Sequence, residues 1–177
     1  MKKILINISL VLFFFITFIL HVNLFSNLKI AGVMPNIFII FVLFIGLYIN
    51  KTVGFTYGMI FGILLDLFVG KKVGITAIML GLVGLIGGIL DKNFSKENKI
   101  TIMIMSCIVT IIYELGIYFI GYFVYKYQIE IVKFIKILLI ESIYNASLII
   151  ILYPLMQNLG YIIEEEYKGS KILTRYF

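Results

Sequence analysis

The sequence predicts an all-α integral membrane protein, a bundle of six transmembrane helices, and three observations carry that prediction. Of 177 residues, 62% are hydrophobic and 14% charged, against about 25% charged in an average soluble domain. The charged residues gather between long apolar runs. Those runs lack period-two alternation, so helices rather than a closed β-barrel satisfy the backbone in lipid. Soluble enzymes, disordered chains and disulfide-stapled modules are excluded.

A hydrocarbon core about 30 Å thick needs about 20 helical residues. Six runs qualify or nearly qualify: 4–25, 35–49, 53–69, 73–90, 100–125 and 131–156. The first follows Lys2-Lys3 as in a signal peptide, but it is longer than a signal core and no small-x-small cleavage site follows. It therefore reads as a retained helix. Pro35 opens the second run, where a missing amide costs nothing. Asn50-Lys51-Thr52 separates the second run from the third, and Gly70-Lys71-Lys72-Val73-Gly74 turns tightly into the fourth. A polar loop at 91–99 precedes the fifth. Pro154 is expected to end or kink the sixth. The second to fourth runs are short, so five spans are the alternative if two of them form a re-entrant pair. Residues 1–156 then form one polytopic membrane domain, and 157–177, with Glu164-Glu165-Glu166, a short cytoplasmic tail.

The formal charge of +6 reflects lysines that punctuate the runs, which points to membrane orientation rather than nucleic acid. Arg175 is the single arginine. With the N-terminus inside, Lys2, Lys3, Lys51, Lys92, Lys96, Lys99, Lys168, Lys171 and Arg175 face the cytoplasm. Lys29, Lys71, Lys72, Lys126, Lys133 and Lys136 face outward. Nine against six of the 15 basic residues favours cytoplasmic termini. Tyr48, Tyr122, Tyr125 and Tyr127 fall near span ends, where they would form an aromatic belt in a chain without tryptophan. Cys107 is alone, so no intramolecular disulfide forms.

The segment 54–88 holds nine of the 15 glycines. Gly54, Gly58 and Gly62 recur every four residues, and Asp66, Gly70 and Gly74 continue the spacing. Such a stripe lets another helix backbone approach closely, which matters in lipid, where hydrophobicity does not draw helices together. Gly81, Gly84 and Gly88 make a second small face on the fourth helix, antiparallel to the third. Packing within the bundle and docking of another protein's helix are both compatible with the pattern. Asp66, one turn before Gly70, meets low dielectric and the negative end of its own helix dipole, so it needs a partner. Lys71 or Lys72 is the candidate, and a contact that orders a partner protein is the functional alternative.

The string Gly58-x-x-x-Gly62-x-x-x-Asp66-Leu67-x-x-Gly70-x-x-x-Gly74, preceded by Pro35-Asn36, resembles the rod shape-determining protein MreD family. Chain length, the short helices and the polar end of the first helix (His21, Asn23) agree, although the last two helices add little. The resemblance implies a non-catalytic component of the bacterial cell-elongation machinery, multi-pass in the cytoplasmic (inner) membrane. It implies binding to the single-span partner MreC and, through it, to a SEDS glycosyltransferase and a class B penicillin-binding protein that make peptidoglycan. It also implies a fold similar to the substrate-binding subunits of energy-coupling-factor transporters. Pro35, Asn36, Gly54, Gly58, Gly62, Asp66, Gly70 and Gly74 are then candidate partner-binding or helix-packing residues.

Glu114 and Glu141 lie within the fifth and sixth runs, and Asn145 is one turn from Glu141. Intramembrane carboxylates are neutral, paired or functional. Lys133 and Lys136 either reach Glu141 or snorkel outward. A proton path through Asp66, Glu114 and Glu141 is disfavoured, because no internal repeat is visible. Static interhelical hydrogen bonding is the stronger reading. His21 stands alone as histidine, so a metal site is not expected, nor is a cofactor, and no catalytic motif occurs. The alternative function is a vitamin-type substrate-binding subunit of a transporter. That class usually carries an Ala-x-x-x-Ala pair on its first helix, whereas the only alanines here are Ala31, Ala77 and Ala146.

Overall fold

The computed structural model describes residues 2–69, 73–94, 96–126 and 130–169. Among the described residues are six α-helices: α1 (Lys2–Leu20), α2 (Ile37–Tyr48), α3 (Lys51–Val69), α4 (Ile75–Asn93), α5 (Lys99–Tyr125) and α6 (Ile131–Lys168). A π-helical turn at His21–Phe25 prolongs α1, and the side chain of Asn23 donates back to the Ile19 carbonyl there. Five of the helices, all but α2, are long and apolar enough to cross a membrane.

The short element is a single helix rather than a re-entrant pair. α2 has 12 residues, so it rises only about 18 Å and cannot match the hydrocarbon core. Every residue from Ile37 to Tyr48 is buried, and α2 packs against α3, α4, α5 and α6. It is the axis of the bundle, kept from lipid by its neighbours. This explains why the run shows no polar face: a helix enclosed all round has none. Pro35 precedes the first turn instead of opening it, since Asn36 is the N-cap.

α3 and α4 form the tightest pair. Outward from them the apolar surface is broad, as lipid-facing helices require: Leu12, Phe119 and Ile151 are among the exposed large side chains. α1 attaches mainly through aromatics, with Phe14 stacked on Phe61 at 4.4 Å and Phe13 against Phe41 at 4.9 Å.

Pro154 does not end the last helix. α6 has 38 residues, about 57 Å of rise, and continues past the boundary expected at residue 156. The Pro154 ring removes one backbone bond without terminating a helix that is anchored on both sides. Tyr48 is also not a belt residue, being 1% exposed. Tyr122 does lie at the surface, whereas Tyr127 and the side chain of Tyr125 lie outside the described residues.

Candidate functional site

Three polar or small-residue assemblies hold the bundle together, and the glycine seam is the first. A Cβ on Gly62 would stand 2.3 Å from the Ala77 Cα, one on Gly58 2.3 Å from the Leu80 carbonyl oxygen, and one on Gly54 2.5 Å from the Gly84 carbonyl oxygen. The stripe on α3 is therefore filled by the backbone of α4. Gly46 of α2 joins the same node, where a Cβ would meet the Gly84 oxygen at 2.3 Å. Gly88 faces the Lys51 backbone, while Gly81 meets only the flexible Met59 and Phe55 side chains. Three helices thus converge where Gly46, Gly54 and Gly84 lie. Gly46 was not marked by the sequence, because a lone glycine in an apolar run has no spacing to betray it.

Asp66 closes the same pair of helices at its turn. The carboxylate is 2% exposed and its Oδ2 accepts the Gly74 N–H at 2.7 Å. Gly74 is the N-cap of α4 and holds φ +110°. That backbone conformation turns the amide toward α3, and it is one L side chains rarely adopt. The aspartate on the C-terminal end of α3 is therefore placed at the N-terminal end of α4, where the dipole favours negative charge. Lys71 and Lys72, expected as its partners, lie outside the described residues, as does Gly70.

The second assembly is an intramembrane polar knot at the start of α2. Asn145 accepts the Asn36 N–H at 2.9 Å through Oδ1 and donates from Nδ2 to the Thr110 hydroxyl at 3.0 Å. It is 0% exposed, and it links α6 to α5 and to the entry of α2. Tyr113, also buried, lies beside this knot, near Asn36, Thr76, Glu114 and Glu141. Glu141 is buried and Glu114 half-buried. Pro35 is buried just ahead of this knot. Lys133 is exposed and pairs with Glu130 at 3.6 Å, and Lys136 is exposed as well, so both lysines lie at the surface of the bundle.

The third assembly was not foreseen. At the end of the bundle where α1 starts and α6 finishes, Lys96 contacts Asp91 at 2.8 Å and Glu164 at 2.6 Å. Lys168 contacts Asp91 at 2.7 Å and Glu164 at 3.1 Å. Two cations and two carboxylates balance to zero. Both lysines also donate to the Leu47 carbonyl, at 3.4 and 3.3 Å, one of the orphan acceptors at the C-terminus of α2. The Lys96 ammonium lies 4.8 Å from the centre of the Tyr48 ring, and that ring fills the space beside Gly160, where a Cβ would be 2.3 Å from it. The i,i+4 pair Glu164/Lys168 and the adjacent Asp91 and Lys96 were the available signals. Read as tail and loop, they gave no reason to meet.

The knot supplies an acceptor for the Asn36 amide at the entry of α2, and the ion cluster supplies donors for the Leu47 carbonyl at its exit. No group of three or more potential metal ligands occurs among the described residues. Packing, hydrogen bonding and charge pairing account for the seam, the knot and the ion cluster, and none of the three assembles a nucleophile with a base.

The description "rod shape-determining protein MreD" matches residues 1–161, a span that takes in α1 to α5 and most of α6. No individual curated protein and no solved structure matches the chain. The chain belongs to the rod shape-determining protein MreD family, non-catalytic multi-pass membrane proteins that act in determining rod shape.

Proposed function

We propose that this protein is a membrane scaffold of the bacterial cell-elongation machinery, seated in the cytoplasmic membrane with both termini in the cytoplasm. In this reading it binds the single-span partner MreC and helps organise a SEDS glycosyltransferase and a class B penicillin-binding protein during peptidoglycan synthesis. The observation that carries the reading is the family match across residues 1–161. Its physical support is the exposed apolar surface of the helices, which leaves helix faces and short loops as the recognition surface. A fold akin to the substrate-binding subunits of energy-coupling-factor transporters belongs to the same reading, supported by the helix count alone. The orientation rests on the sequence count of nine basic residues on the side of the N-terminus against six on the other.

The test is depletion of the native protein in a rod-shaped host with co-purification of its single-span partner. Rounded cells restored by the full chain, with the partner recovered in stoichiometric amount, are the expected result. Unchanged rod growth after depletion, or restoration of shape without any single-span partner, would sink the scaffold reading.

A further inference from the structure

We propose that the cleft between α1, α2 and α6 is a binding slot for one acyl chain of an anionic phospholipid. The inference is independent of the scaffold reading. The cleft has a volume of about 310 Å³ and is lined by side chains such as Leu5, Phe13, Phe41, Leu155, Leu159 and Ile163, with Ser9 the single polar lining residue.

Its dimensions select the occupant. The lining runs from Leu5 to Phe13 along α1 and from Leu152 to Ile163 along α6, roughly 12–16 Å at 1.5 Å per residue. That is about half of a hydrocarbon core of ~30 Å, the depth of one leaflet. An acyl chain entering from one side fills such a slot. A spanning helix, about 10 Å across and twice as long as the cleft, does not.

The mouth selects the headgroup. The α1 lining begins at Leu5, within one turn of Lys2 and Lys3, both exposed, and the Lys3 ammonium lies 5.5 Å from the centre of the Tyr167 ring. Glu166 stands one turn beyond Ile162 on the same stripe of α6 and adds one carboxylate. The exposed Glu165 is turned about 100° round the helix from Glu166 and off that stripe, so two lysines against one glutamate leave the rim net positive. The neighbouring Lys168 contributes nothing further, since Asp91 and Glu164 neutralise it. An anionic phosphate ester at headgroup level complements this rim while its chain lies in the apolar slot.

The absence of tryptophan from the sequence makes a site-specific test direct. Phe13→Trp places the sole tryptophan in the slot, where it can be excited selectively over the tyrosines, and Phe119→Trp places one at an outward position that is 63% exposed. Each full-length variant is reconstituted in phosphatidylcholine vesicles containing increasing fractions of dibrominated phosphatidylglycerol, whose bromines quench tryptophan on contact. The slot reporter is expected to reach half-quenching at an about fivefold lower brominated fraction than the control, the effect of one net positive charge near anionic lipid. Adding Lys2→Glu and Lys3→Glu to the slot variant is expected to erase the difference. Equal midpoints for the two reporters overturn the proposal, as does a difference that survives the lysine substitutions. Should Phe13→Trp fail to reconstitute as a monodisperse protein, Leu155→Trp reads the same slot by the same criteria.

Discussion

At the scale of single residues, Asp66 shows how a sequence signal and its physical meaning separate. Its place in a glycine-rich string was legible, and so was its need for a partner. The partner was not, because a backbone amide has no side chain to announce it, and only the positive φ of Gly74 brings that amide round. Loss of a hydrogen bond to a charged group costs about 1.5–3 kcal/mol. Asp66→Ala is therefore expected to lower stability by that amount, whereas Asp66→Asn keeps an acceptor and should lose less. Gly74→Ala is a separate probe of the same contact. A Cβ there meets nothing within 4 Å, so any loss reports backbone strain of about 1–2 kcal/mol rather than a clash. Reversible unfolding in detergent measures all three, and equal stability of Asp66→Ala and the native chain would contradict the capping role.

At the scale of helices, the runs of apolar residues made α1, α3, α4, α5 and α6 legible, and glycine spacing identified the close pair α3 and α4. What stayed hidden was the function of α2, since a 12-residue apolar run reads equally as half a span or part of a re-entrant pair. Its role is set by contacts distant in sequence: Asn36 with Asn145, and Leu47 with Lys96 and Lys168. Two predictions belong here. Gly62→Ala pushes a methyl group into the α4 backbone, where neither helix yields cheaply, and an overpacking loss of about 1–3 kcal/mol is expected. Gly81→Ala meets a methionine side chain that can move, and should lose clearly less in the same unfolding assay. In the ion cluster, Lys96→Met leaves two buried carboxylates sharing Lys168, and removing one partner of a buried pair costs about 3–5 kcal/mol. Lys168→Met should lose less, because that side chain is 28% exposed against 10% for Lys96. A Lys96→Met, Glu164→Gln double-mutant cycle is expected to show strong coupling between the two residues. Additive losses would mean that the cluster does not fasten α6 to the rest of the bundle.

At the scale of the whole molecule, the structure redirects the search for the protein surface that meets its partners. The glycine stripe on α3 invited the idea of an external helix docking there, yet α4 already occupies it at backbone contact. An incoming helix would first have to separate the tightest pair in the bundle. The faces left for recognition are those whose large apolar side chains point outward, such as Leu12 on α1 and Phe119 on α5, 58% and 63% exposed. Photoreactive amino acids placed singly at Leu12, Phe119 and Met59, whose side chain lies against Gly81 at the edge of the seam, distinguish the two cases in living cells. Capture of a single-span protein from an outward position, with none from Met59, is the expected outcome. A partner recovered from Met59 in a variant that still restores rod shape would show that the seam opens in the assembled complex. In that event the effects of Gly62→Ala on shape would have to be read as lost docking rather than as a deformed bundle. The unfolding measurements on the isolated chain separate these two causes, because a docking residue leaves the free protein's stability unchanged and a packing residue does not.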